Sequence, residues 1–182
     1  MNTAASTRIH MATRRIFCVS GMLLLVFALV APAGAQTRVG GHIGFVLPLV
    51  TRSGGQTTNL GDGFSIGFPM GITVKGSGRM AFDLELVPSV NNTPRAVALT
   101  VHPGLVWGVG HGFAVGGRAA FDVNSSQLGF TPLVNKSWPI KRESSFFKAY
   151  FAEAVLPIRF NRPLGGPATN PVTFGMHFGV GF

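Results

Sequence analysis

Large apolar residues alternate with small or polar ones in eight separate stretches of this chain. The last stretch is the cleanest. Val172, Phe174, Met176, Phe178, Val180 and Phe182 are apolar, and Thr173, Gly175, His177, Gly179 and Gly181 stand between them. Successive side chains of a strand point to opposite faces, so a period of two predicts a strand with one greasy face and one small, polar face. The same period runs through residues 39–49, 64–75, 80–86, 97–107, 113–123, 128–134 and 150–160. Most of these runs approach the roughly 9–11 residues that a tilted strand needs to cross a bilayer.

Composition changes the picture at the N-terminus. Arg8, Arg14 and Arg15 precede an apolar run over 16–30, and Ala33 and Ala35 then form a small-residue site before Gln36. Basic, apolar and small-residue segments in that order predict a secretory signal peptide over 1–35, cleaved after Ala35. The apolar run is shorter than the roughly 20 residues of a spanning helix. Cys18, the one cysteine, leaves with it, so the mature chain is expected to hold neither disulfide nor thiol chemistry. Twelve of the fifteen Lys and Arg and all six Asp and Glu remain, a net charge of +6 over 36–182. What remains is secreted, free of cysteine and rich in Gly and Phe, with its hydrophobicity spread through alternation as in transmembrane barrels.

With Phe174, Phe178 and Phe182 closing an alternating strand, the C-terminal segment resembles the last strand of small Gram-negative outer-membrane β-barrel proteins, where such a pattern is an insertion signature. The resemblance is to a class, not to one family. It implies an all-β, antiparallel up-and-down transmembrane barrel of eight strands over 36–182. It also implies residence in the outer membrane, with assembly by the barrel-assembly machinery and contact with outer-membrane lipids and lipopolysaccharide. Eight is an even number and the smallest bacterial barrel size. A soluble β-sandwich is the alternative that would bury the apolar faces between two sheets.

With the C-terminus in the periplasm, 75–79 and 108–112 become short Gly-rich periplasmic turns, and 136–144 a longer one. The extracellular loops are then 51–63, 89–94, 124–127 and 161–171. Trp107, Phe113, Trp138, Tyr150 and Phe182 are expected at the periplasmic interface as an aromatic girdle. Prolines are the irregular feature, since each lacks a ladder donor. Pro48, Pro88 and Pro157 fall near extracellular strand ends; Pro69 and Pro132 fall deeper and predict bulges or gaps.

The inward set carries the candidate chemistry: His42, Asp83, Glu85, His102, Arg118, Asp122, Glu153, Arg159 and His177. Charges inside a narrow barrel must pair or reach water. An eight-stranded barrel is about wide enough to be filled by its own side chains. The leading expectation is therefore an ion-paired plug, with His102 satisfied by Asp83 or Glu85. The alternative is a narrow pore or carrier for small solutes or lipids, with inward glycines such as Gly44, Gly67, Gly71, Gly104, Gly175 and Gly179 leaving a water path. Gly117 and Ala119 make a small-residue dent on the lipid face.

A lipid A-modifying enzyme is a minor alternative. Histidine beside carboxylates can do acid–base work, but no catalytic constellation is fixed by spacing, and the extracellular loops hold no His. No cofactor is indicated. His42 and His177 meet when the barrel closes, yet no third metal ligand stands at a recognisable spacing, so no metal is expected. Nucleic acid is not expected, because no basic cluster is interleaved with stacking aromatics. Arg52, Arg95 and Arg162 fall in the extracellular loops, where guanidinium forks suit lipopolysaccharide phosphates. The reading is a small outer-membrane barrel, structural or surface-interacting, with a largely closed lumen.

Overall fold

The structure is a computed structural model. It describes residues 38–123, 125, 127–142, 145–161 and 168–182. The signal-peptide expectation for 1–35 and the lipopolysaccharide candidate Arg162 lie outside the described residues.

Each alternating stretch forms a strand, and the strands pair in sequence. They are β1 (Arg38–Ser53), β2 (Gln56–Asn59), β3 (Ser65–Gly67), β4 (Met70–Lys75), β5 (Met80–Asn92), β6 (Arg95–Gly110), β7 (Phe113–Asp122), β8 (Leu128–Pro139), β9 (Ala149–Val155), β10 (Ile158–Phe160) and β11 (Val172–Gly181). β2, β3 and β4 all run antiparallel to β1 and make one interrupted stave. β9 and β10 make another, because both pair with β8 and with β11. The eleven segments are thus eight staves. β11 returns to β1 from His42↔Gly181 to Arg52↔Val172, which closes the antiparallel ring. Closure removes both free edges, so no row of backbone donors and acceptors is left unpaired.

Alternation sorts the side chains. Phe45, Phe82, Leu84, Leu105, Val115, Phe130, Phe174 and Phe178 are exposed on the outside. Asp83, Glu85, Arg118, Glu153 and His177 are buried inside. This inverts the usual arrangement of a water-soluble domain, where an apolar surface of this extent is unusual. Trp107, Phe113, Trp138, Tyr150 and Phe182 are all exposed near the rim where β1 begins and β11 ends, here the lower rim.

The connections correct three expectations. Residues 51–63 are not simply a loop: β1 runs to Ser53 and turns back through Gly54 and Gly55, both at positive φ, into β2. The 89–94 segment is strand to Asn92, with Asn92 paired to Arg95 across a tight turn. The long 136–144 connection shortens, because Lys136 to Pro139 belong to β8. Alternation failed there because Lys136-Ser137-Trp138 no longer carries an apolar residue at every second position.

The prolines follow the expectation at Pro69, which stands in a gap, and depart from it at Pro132. Phe68-Pro69 interrupts one stave and Leu156-Pro157 another, while Pro132 stands in uninterrupted β8. No residue is inserted at Pro69, since Gly67 pairs Ser89 and Met70 pairs Leu86. At both breaks the ladder partly persists. Phe68 N–H donates to the Pro88 carbonyl at 2.8 Å, and Gly44 N–H to the Pro69 carbonyl at 3.0 Å. Leu156 N–H donates to the Pro132 carbonyl at 3.0 Å, and Thr173 N–H to the Pro157 carbonyl at 2.9 Å. Each proline withholds its donor but keeps its acceptor in use. The register shifts lie elsewhere, between Pro48 and Val50 on β1 and between Gly108 and Gly110 on β6.

Glycines on the inner face are occupied space rather than vacancy. A Cβ on Gly71 would lie 2.3 Å from the His42 ring, and one on Gly104 would lie 2.6 Å from the Arg118 side chain. On Gly179 it would lie 2.7 Å from Phe151, and on Gly129 2.7 Å from Arg159. The expectation that such glycines leave a water path is therefore corrected for these positions. The outer dent at Gly117 is likewise filled, by the Phe130 ring at 2.4 Å.

At the closing seam Gly44 pairs with Gly179, and a Cβ on Gly44 would stand 2.2 Å from the Phe178 carbonyl oxygen. Gly44→Ala is expected to lower stability by about 1–3 kcal/mol through overpacking. Gly76→Ala, where a Cβ meets nothing within 4 Å, is expected to be neutral. Urea midpoints of the refolded protein in detergent check both; equal midpoints would remove the steric account of the seam.

Candidate functional site

Register builds the lumen cluster row by row. His42 on β1 pairs with Gly71 on β4, which pairs with Glu85 on β5, which pairs with His102 on β6. One row lower, Asp83 pairs with Gly104, and Gly104 with Arg118 on β7. In both rows a long side chain reaches its partner across a glycine. On the other wall Asn135 on β8 pairs with Glu153 on β9, and Glu153 with His177 on β11.

Arg118 is the centre. Its Nε donates to Asp83 Oδ2 at 2.8 Å and its Nη1 to Glu153 Oε1 at 2.8 Å. Nη2 lies 3.5 Å from Glu153 Oε2 and 3.6 Å from Glu85 Oε2. A guanidinium is the cation suited to this, since five donors in a rigid fork can face several carboxylates at once. Each carboxylate has further partners. Thr73 donates to Asp83 at 2.7 Å, and Asn135 to Glu153 at 3.4 Å. His42 Nε2 is 3.0 Å from Glu85, and His177 Nδ1 is 3.4 Å from Glu153. Phe151 stands edge-on to both His42 and His177 and closes the cluster against β9.

His102 has a defined tautomer. Arg159 Nη2 donates to its Nε2 at 3.1 Å, and a guanidinium can only donate. The His102 proton therefore sits on Nδ1, which donates to Glu85 at 3.1 Å. Arg159 also donates to Thr131 at 3.1 Å. The chain Arg159–His102–Glu85 ties the upper lumen to the central cluster.

Two cavities flank this cluster. The upper holds about 130 Å³ and is walled by Val46, Pro69, Val87, Pro157 and Arg159. The lower holds about 220 Å³ and is walled by Thr73, Ala81, Asn135 and Ser137. Arg118 and Glu153 line both, so their ion pair is part of the partition between the two spaces.

Most of the residues singled out from sequence are brought together: His42, Asp83, Glu85, His102, Arg118, Glu153 and His177 form one buried network, with Arg159 attached. Asp122 lies higher on β7, where it accepts from Thr100 at 2.6 Å and interacts electrostatically with Arg159. His102 meets Glu85 rather than Asp83. Arg52 and Arg95 are exposed near the upper rim, and Phe174, Phe178 and Phe182 point outward. Thr73, Thr131 and Asn135 were not singled out. The first two carried the parity signal alone, and Asn135 lies just past the point where apolar alternation gives out.

Glu85, Glu153 and His177 offer ligand atoms within 4.8 Å of one another. The cation that the two glutamates bracket is Arg118 itself. Three carboxylates face one guanidinium here.

No family model matches the chain. No curated protein matches it. Among solved structures it is similar to a de novo designed transmembrane β-barrel, with 14% identity over 80% of this chain and 99% of that one, at a TM-score of 0.36. It is also similar to the outer membrane protein OprG from Pseudomonas aeruginosa, with 12% identity over 81% of this chain and 96% of that one, at a TM-score of 0.36. The ring of eight antiparallel staves is established by the register of the chain's own strands.

Truncating one partner of a buried pair leaves the other charges uncompensated, which costs about 3–5 kcal/mol. Arg118→Leu is expected to lose stability on that scale, and Arg118→Leu with Glu153→Gln to lose less. Arg95→Leu, on an exposed side chain, should stay within about 0.5 kcal/mol. Urea unfolding of the three refolded variants decides; an Arg118→Leu midpoint equal to wild type would show that the belt does not hold the barrel together.

Proposed function

We propose that this chain is an integral outer-membrane protein whose lumen is closed by an ion-paired belt, and that it serves a structural or surface-interaction role. One observation carries this reading. Arg118, Asp83, Glu85 and Glu153 are each at most 3% exposed, and they occupy the level between the two cavities. A continuous water path would leave these charged groups wet.

The apolar outer surface supports the membrane part of the reading. Phe, Leu, Val and Trp side chains that would be costly in water are at home against lipid tails. The lower-rim aromatics supply the amphipathic girdle that marks a bilayer interface. Arg52 and Arg95 at the upper rim suit phosphate groups of lipopolysaccharide. A catalytic role is not part of the proposal. His42, His102 and His177 sit within the buried belt, away from the rim where a lipid headgroup would be presented.

A second reading, a narrow pore or carrier, is favoured by the fact that Arg118 and Glu153 line both cavities. Movement of this pair would join the two spaces. Conductance separates the readings. Wild type in planar bilayers is expected to pass no sustained current, while Arg118→Ser with Glu153→Ser is expected to show discrete openings. Sustained wild-type current would replace the closed-lumen reading with the pore. The membrane part has its own check: outer-membrane fractions on SDS gels should give a faster band unheated than boiled. Recovery in a soluble fraction with no such shift would overturn it.

A further inference from the structure

Arg118 is answered by three carboxylates, but Arg159, the other lumen guanidinium, is not. Among the described residues no carboxylate lies within 4.0 Å of Arg159. Asp122 acts on it electrostatically from beyond that distance and is itself engaged by Thr100. The bonds that Arg159 makes all go to neutral acceptors. Nη1 donates to Thr131 Oγ1 at 3.1 Å and to the Ile158 carbonyl at 3.4 Å, and Nη2 donates to His102 Nε2 at 3.1 Å. A guanidinium carries five N–H donors. The hydrogen on Nε and one on Nη2 are left without an acceptor among the described residues. Donors on those two nitrogens are the fork that a carboxylate accepts.

Arg159 is half-buried and borders the upper cavity. That cavity, at about 130 Å³, is close in size to the apolar cavity of about 150 Å³ that takes up benzene. Val46, Val87, Val155, Pro69 and Pro157 give it apolar walls. Its floor is the belt, and upward it reaches Thr173 near the start of β11 and Ser65 at the start of β3. Unanswered donors of a cation beside an apolar space are costly. A ligand with one anionic end and one apolar end removes that cost and covers the walls. The belt restricts its charge. Glu85 and Glu153 line the same cavity, each held by Arg118 and by a histidine. A dianion meets these carboxylates, an ammonium meets Arg159, and a neutral alcohol leaves the fork unanswered.

We propose that the upper cavity is a binding site for a small monocarboxylate with an apolar body of about three to five carbons. Arg159 Nε and Nη2 hold the carboxylate, and Val46, Val87 and Val155 hold the body. The proposal goes beyond the closed-lumen reading and does not depend on it, because the site lies above the belt.

The test is a titration of the protein, refolded in a nonionic detergent, with isovalerate against matched sodium chloride, followed by ligand-observed NMR. Isovalerate is expected to bind saturably, and acetate to bind about fourfold more weakly for each apolar carbon it lacks. 3-Methylbutanol, the same body without the charge, should bind about tenfold more weakly or worse. Arg159→Gln should lose a similar factor, and Arg159→Lys, a cation without the fork, should keep only part of the affinity. If the Arg159 variants do not fold, Val46→Phe keeps the guanidinium, fills the cavity and should abolish binding. Arg52→Gln, at the upper rim, should bind as wild type does. Absence of saturable binding would overturn the proposal. So would equal binding of 3-methylbutanol or of inorganic phosphate by wild type, or full affinity for isovalerate in Arg159→Gln or in Val46→Phe. None of these results bears on conductance, so the closed-lumen reading is decided separately.

Discussion

The pairing of Arg118 with Asp83, Glu85 and Glu153 is the constraint on which the interior depends. In a ring of eight staves the lumen is about as wide as the side chains that fill it. Charges there reach water poorly, and unpaired burial is expensive. Four charged groups must therefore meet at one level, from β5, β7 and β9. That requirement dictates the small residues. Gly71 lets His42 reach Glu85, and Gly104 lets Arg118 reach Asp83. Filling either glycine would drive a Cβ to within 2.6 Å of the side chain it now admits. Glycine here is a packing partner of a charged residue.

The backbone faces a parallel constraint. On the membrane reading proposed above, a ladder donor lost against lipid has no water to replace it, yet this barrel carries prolines at Pro69, Pro88, Pro132 and Pro157. They occur in facing pairs. Pro88 accepts from the residue preceding Pro69, and Pro132 from the residue preceding Pro157. Pairing places four of the missing donors at two seams, four staves apart around the ring; Pro48 in β1, Pro103 in β6 and Pro139 in β8 stand outside them. Both Pro69 and Pro157 line the upper cavity. The weakest parts of the ladder thus lie beside the smaller of the two lumen cavities. The ion-paired belt supplies side-chain bonds across the barrel just below that level.

Much of this was legible in the sequence because a period of two is a strong signal when one face must be greasy throughout. The 172–182 run gives Phe174, Met176 and Phe178 outward and His177 inward without ambiguity, and β11 has that parity. The inward set included every charged member of the belt. Register was not legible. A run of alternating residues says which way Glu85 points, not whether its neighbour is His102 or Gly104. Parity places Asp122 in the lumen but does not say that its direct partner is Thr100 and that Arg159 links it to the belt. The end of β8 was missed because Asn135 and Lys136 carry no apolar signal, though Asn135 touches Glu153. The proline breaks were half legible. Pro132 and Pro157 are both visible in the sequence, but which stave yields depends on what faces each across the seam.

The same alternation that writes the fold also limits what a narrow barrel can do. At the belt, positions on the inner face are spent on mutual neutralisation, and positions on the outer band must be apolar. Neither set is free to recognise a partner. The residues left over are Arg159 above the belt and those of the rims, where strands end and neither constraint applies. There the chain is not neutral. The lower rim gathers Arg38, Lys75, Arg79 and Lys136 with no Asp or Glu among its described residues. Inside the lumen the chain answers Arg118 with three carboxylates; at the rim it answers Lys75 with Arg38. The buried cation is met by carboxylates because water does not reach it, whereas the exposed cations of the lower rim are left to solvent.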